Sequence, residues 1–178
     1  MRRLIVIALL VVGCNGQATA TPVASTAASA GAVPSDWVAF TAPDDSFSVR
    51  LPRSPAHTTR IEASDAGPLE LRFFESKSFD QETTFLVVFT DYSATGVIPD
   101  LDAYVDGALA GATGATLEQS HAIDLGGVPG RDYTLHGKGQ LVRGRVYLSG
   151  ARLVQLLVVG SEKGLPNAEE FFASFVIR

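Results

Sequence analysis

From Trp37 onward, apolar and polar positions trade places mostly in steps of two, the period of a half-buried β-strand. Leu69, Leu71 and Phe73 alternate with Glu70 and Arg72, and Phe47-Ser48-Val49-Arg50-Leu51 repeats the pattern. Trp37 to Phe40 and Phe47 to Leu51 read as short strands parted by the turn residues Pro43-Asp44-Asp45. A further strand is expected over His57 to Ala63. Thr84 to Tyr92 is β-branched and aromatic almost throughout, as in a strand covered on both faces. Strands resume over Ala115 to Leu125, Arg131 to Leu135, Gln140 to Ser149 and Arg152 to Val159. The turns between these last four are Gly126 to Gly130, Gly137-Lys138-Gly139 and Gly150-Ala151.

Two segments break the period. Leu101, Tyr104, Val105, Ala108 and Leu109 recur at helical spacing after Pro99, with Asp100 and Asp102 in the first turn, and Gly111 and Gly114 end the run. Ala168 to Phe175 predicts a closing helix that turns Phe171, Phe172 and Phe175 to the sheet, with Asn167 as its N-cap. Hairpin-length connections require antiparallel pairing. The fold class is therefore α+β, a mostly antiparallel sheet flanked by helices. Residues 36–178, about 140 residues, suffice for one globular domain.

The first 35 residues follow other rules. Arg2 and Arg3 precede a nine-residue apolar run, Leu4 to Val12, too short to span a bilayer, which needs roughly 20 residues. A positive start, a short apolar core and a small residue at its end are the marks of an export signal, here residues 1–13. Val11-Val12-Gly13-Cys14 resembles the bacterial lipobox, which implies diacylglyceryl attachment to Cys14 and cleavage before it. An ordinary secretory signal beside an incidental cysteine is the other reading, but Cys14 is the single cysteine of the chain. Asn15, rather than Asp, follows it, which in an organism with two membranes favours the outer one. The partner expected from this end is thus the membrane, reached through lipid on Cys14. Residues 14–35 carry no charge and no aromatic, and read as a flexible Ala/Thr/Ser/Pro tether of about 20 residues, with a reach on the order of 25 Å.

Loss of Arg2 and Arg3 with the signal turns 14 basic residues into 12 against 19 acidic ones, and the formal charge moves from −5 to −7. So acidic a domain is a poor fit to nucleic acid, whose phosphates demand clustered Lys and Arg. The linear sequence holds no polybasic run that would add attraction to anionic lipid.

The segments FSVRLP, IDLGGVPGRDY, GRVYLSGARLVQLLVVG and EEFFASFVI, with the helix near mid-chain, together resemble the PsbP-like superfamily, over roughly Trp37 to Ile177. That group takes its name from an extrinsic subunit of photosystem II and includes small bacterial lipoproteins. The resemblance implies an antiparallel sheet with flanking helices and a role as a binding or assembly subunit. No family ligand or contact residue matches a position here, so none is carried over.

Chemistry is sparse. His57, His121 and His136 lie in separate segments without metal-ligand spacing. No G-x-S-x-G is present, and a lipidated Cys14 is not a nucleophile. Asp100, Asp102 and Asp106 miss the calcium-loop spacing and suit a helix start. Neither catalytic residue, cofactor nor metal is expected. One constellation stands out. If Gly150-Ala151 is a two-residue turn, Ser149 pairs with Arg152, and alternation sets Arg143, Arg145, Tyr147 and Arg152 on one face, with Arg131 approaching from a neighbouring segment. Such a face suits an anionic ligand or a partner's carboxylates. The plainer alternative is pairing with nearby acids such as Asp132, Glu162 or Asp124. The expectation is a membrane-anchored, exported, non-enzymatic binding or assembly module of the cell envelope with an envelope protein as partner. The alternative is a small-ligand carrier or sensor that uses a sheet–helix cleft or the arginine face.

Overall fold

The computed structural model describes residues 33–64, 67–112 and 114–178. Residues 1–32, and with them Cys14, Asn15 and most of the tether, lie outside the described residues. Ten strands are described: β1 (Val38–Thr41), β2 (Phe47–Leu51), β3 (Ala56–Ser64), β4 (Gly67–Lys77), β5 (Thr84–Asp91), β6 (Thr116–Leu125), β7 (Val128–Gly137), β8 (Gln140–Ser149), β9 (Arg152–Ser161) and β10 (Val176–Ile177). Helix α1 (Leu101–Gly111) follows β5, and α2 (Ala168–Ala173) precedes β10.

Seven strands form one sheet in the order β3-β4-β5-β9-β8-β7-β6, antiparallel throughout. The fold is α+β, as the alternation predicts. A second, three-stranded sheet, β1-β2-β10, is a feature the pattern did not separate. It arises because β10, only two residues long, returns from α2 to pair with Phe47 and Ser48.

The large sheet lies between two cores. On one face the small sheet and α2 supply Trp37, Phe47, Leu51, Phe171, Phe172 and Phe175 to the inward side chains of β4, β5, β8 and β9. Edge contacts such as Trp37 on Phe85, with centroids 5.2 Å apart, and Phe85 on Phe171, 5.3 Å apart, fill this layer. On the other face, α1 buries Tyr104 and Val105 against Leu71, Val88, Leu153 and Leu157. Burial of β9 on both faces explains its almost unbroken apolar run. The turn between β1 and β2 is tied to the large sheet by Arg72, 2.8 Å from Asp44 and stacked on Phe89. Burial works against the charge on Asp44, but hydrogen bonds from Ser46 and Arg72 outweigh it and hold the carboxyl at about 2.

Several boundaries differ from expectation. The β6–β7 turn is only Gly126-Gly127, both at positive φ, so Val128 and Pro129 already belong to the strand, with Pro129 opposite Asp124. Gly130 is needed in the strand itself, because a Cβ there would come within 2.6 Å of the Tyr147 ring. Helix α2 ends at Ala173, two residues short of Phe175. Asn167 does not cap it with its side chain; it takes a left-handed conformation (φ 61°) that turns the chain into the helix. Asp100 does cap α1, accepting from the Ala103 N–H at 2.8 Å.

Candidate functional site

The arginine face is built by three neighbouring strands. Ser149 pairs with Arg152 across the Gly150-Ala151 turn, and the register puts Arg143 opposite Val158, Arg145 opposite Leu156 and Tyr147 opposite Val154. Those β9 residues face the α2 core, so Arg143, Arg145 and Tyr147 point there too. On the other side, β7 places Asp132 opposite Arg145 and Thr134 opposite Arg143.

The two arginines are not free. Arg145 Nε donates to Asp132 Oδ2 at 2.7 Å, and Arg143 Nη2 donates to the same oxygen at 3.3 Å. From above, Glu169 of α2 spans the pair: Oε1 accepts from Arg143, and Oε2 accepts from Arg145 Nη2 at 3.2 Å. Phe172, one helical turn further on, lies beneath both guanidinium groups, at 5.5 Å from that of Arg143 and 4.6 Å from that of Arg145. Two positive and two negative groups thus form a neutral clamp between α2 and β8. Burial opposes the charge of Arg143, yet the carboxylates of Glu169 and Asp132 raise its pKa above the ordinary arginine value. Asp132 is 1% exposed, and its Oδ1, like Arg143 Nε, is buried without a hydrogen-bond partner.

The remaining candidates fall elsewhere. Arg152 lies on the same face by alternation, but four residues beyond the level of Arg145, and it is exposed and 3.4 Å from Asp91. Arg131 does not approach the cluster. It neighbours Asp132 in β7 and so points to the opposite face, where it pairs with Asp102 of α1. Of the three carboxylates considered as local partners, Asp132 serves and Glu162 and Asp124 do not; Asp124 instead accepts from the Gly127 N–H in the β6–β7 turn. Glu169 was missed because it comes from α2, and only the tertiary approach of that helix brings it to β8.

Behind this clamp, the other face of β7 and β8 holds a neutral network. Tyr104 Oη donates to Gln155 Oε1 at 2.9 Å, and Gln155 Nε2 donates to Tyr133 Oη. Gly144, between the two arginines, makes room for it, since a Cβ at that position would overlap the Tyr133 ring. The histidines stay apart: His57 stacks on Phe74, with centroids 4.7 Å apart, and His136 lies 3.0 Å from Glu118. Among the described residues, no group of three His, Cys, Asp or Glu side chains is placed to hold a metal ion. No helix among them is long and apolar enough to cross a membrane.

The solution structure of cyanobacterial PsbP (CyanoP) from Synechocystis sp. PCC 6803 matches 86% of this chain and 98% of its own, with a TM-score of 0.50 at 11% identity. The fold is PsbP-like. At that identity the likeness concerns architecture alone. The crystal structure of PA94, a protein of unknown function from Pseudomonas aeruginosa, matches 77% of this chain and 91% of its own at 13% identity, with a TM-score of 0.39. No protein-family model and no curated protein matches the sequence.

Proposed function

We propose that this PsbP-like chain is an exported, lipid-anchored, non-enzymatic binding or assembly module of the cell envelope, held through Cys14 and recognising its partner with its outer surface. The observation that carries the reading is that the interior is already occupied. Both sheet–helix layers are packed with buried side chains, and the arginine pair is neutralised by Asp132 and Glu169. A domain of this kind offers a partner its loops and edges rather than a prepared polar pocket. The signal pattern ending at Cys14 supports the anchor, and the tether after it gives the domain reach.

A small-ligand carrier is the second reading. It is favoured by the buried, unpartnered Asp132 Oδ1, an acceptor that a donor on a ligand would satisfy. The two are separated by fractionating cells that express the full chain or Cys14→Ser, with metabolic fatty-acid labelling and in-cell crosslinking. Label on the wild type alone, loss of Cys14→Ser from membranes and an anchor-dependent crosslinked partner are expected. An unlabelled wild type, or a Cys14→Ser chain that stays with membranes, overturns the anchor. A ligand-induced rise in melting temperature without a crosslinked partner favours the carrier.

A further inference from the structure

The strands of the large sheet have two ends, and the chain enters the domain at one of them. Val33 packs on the core that α2 covers, and Trp37 meets Phe85, the second residue of β5, edge to face. The same end holds the turn from β4 to β5, the start of β8 and the end of β9, as the pairs Lys77 with Thr84, Thr84 with Val159, and Gln140 with Ser161 require. At this end Phe79 stands 57% exposed, with the Arg53 guanidinium 4.9 Å over its ring and Arg53 Nη2 donating to its carbonyl at 3.2 Å.

The charges are sorted along the same axis. The chain's three lysines, Lys77, Lys138 and Lys163, lie in or beside the turns of the entry end, although they are scattered in sequence. With Arg50 and Arg53 they stand against Asp36, Glu75, Asp80, Glu82, Glu118 and Glu162, so that end is close to neutral, and Asp80 is turned back on Ser78 and the Glu82 N–H. Asp44, Asp45, Asp91, Asp100 and Asp124 gather towards the opposite end, where Arg72 and Arg152 offset Asp44 and Asp91 but leave an acidic excess.

We infer that the entry end is the face the domain lays on an anionic lipid surface, with the Arg53–Phe79 pair at the headgroup boundary. This rests on the lipid-anchor reading above. The anchor supplies the attachment, because a near-neutral end adds little attraction of its own. The acidic far end supplies the orientation, since an anionic surface repels it. An aromatic ring flanked by a basic side chain is suited to the interface, with its apolar body in the acyl boundary and its charge among the phosphates.

The test uses the full chain carrying Phe79→Trp, made in cells that process it and reconstituted in vesicles of phosphatidylethanolamine and phosphatidylglycerol, some with brominated acyl chains. Phe79 is exposed, so the substitution leaves the core intact, and buried Trp37 serves as the internal reference. The expected result is that bromolipid removes about half of the emission of the introduced indole, as for a ring seated roughly 5–10 Å into the boundary. Arg53→Glu in the same background should weaken that quenching. Protein that sediments with the vesicles yet keeps the full emission of that indole overturns the docked face and leaves the anchor standing. Protein that does not sediment overturns the anchor, and the docked face with it.

Discussion

The two faces of the β7–β8 hairpin solve the same problem in opposite ways. Asp132 and Tyr133 are neighbours in β7, and Gly144 sits between Arg143 and Arg145 in β8, so one residue's step changes the face and the chemistry. Under α2 the polar groups are ionised: Asp132 and Glu169 neutralise two arginines whose side chains keep about a fifth of their surface. Under α1 they are neutral: Tyr104, Gln155 and Tyr133 exchange hydrogen bonds in full burial. The difference follows from solvent and counter-charge. Water still reaches the guanidinium groups and Glu169, and the deeply buried Asp132 is shared by both arginines, whereas a site without such counter-charges favours neutral donors and acceptors.

The comparison breaks most severely at the glycine shared by both faces. Gly144→Val should destabilise the protein by about 3 kcal/mol or more, because the Tyr133 ring cannot move without losing Gln155. A chemical-denaturation midpoint within error of wild type would refute that packing. Asp132→Ala comes next, at about 3 kcal/mol, since it leaves two half-buried arginines with only Glu169. The same measurement should show less loss for Asp132→Asn, which keeps an acceptor.

Tyr104→Phe is milder, about 1 kcal/mol for one neutral hydrogen bond. It also sharpens the contrast through pH. Burial raises the pKa of Tyr104 well above the ordinary 10.0, so the folded state keeps the proton while the unfolded state gives it up. Stability is therefore whole below pH 10 and falls as pH rises past it, and Tyr104→Phe should flatten part of that fall. The smallest effect is expected for Glu169→Gln, about 0.5 kcal/mol, because its side chain is about a third exposed and screened. Moderate salt should narrow that gap and leave the Tyr104→Phe difference unchanged.

Much of this was legible from period alone. The span of β8, the start of β9, the Ser149–Arg152 register and the common face of Arg143, Arg145 and Tyr147 follow from alternation and a two-residue turn. What period could not supply is proximity across layers. Glu169 is 24 residues from Arg145 in sequence, and only the packing of Phe171 and Phe172 delivers it. Arg131 lies on the opposite face because parity within β7 separates it from Asp132, and with Val128 and Pro129 reading as turn the sequence does not show how β7 registers on β8. The small sheet was hidden for a related reason: a two-residue strand such as β10 carries no period.

The arginine face is spent within the domain, holding α2 and β7 to β8. A double-mutant cycle between Asp132→Ala and Arg145→Ala, read by equilibrium unfolding, tests it directly across the 2.7 Å bond. A coupling of about 2 kcal/mol is predicted, within the range found for residues in one ion-pair network. Additive losses, or an Arg145→Ala variant as stable as wild type, would contradict it and return the face to the service of an external ligand.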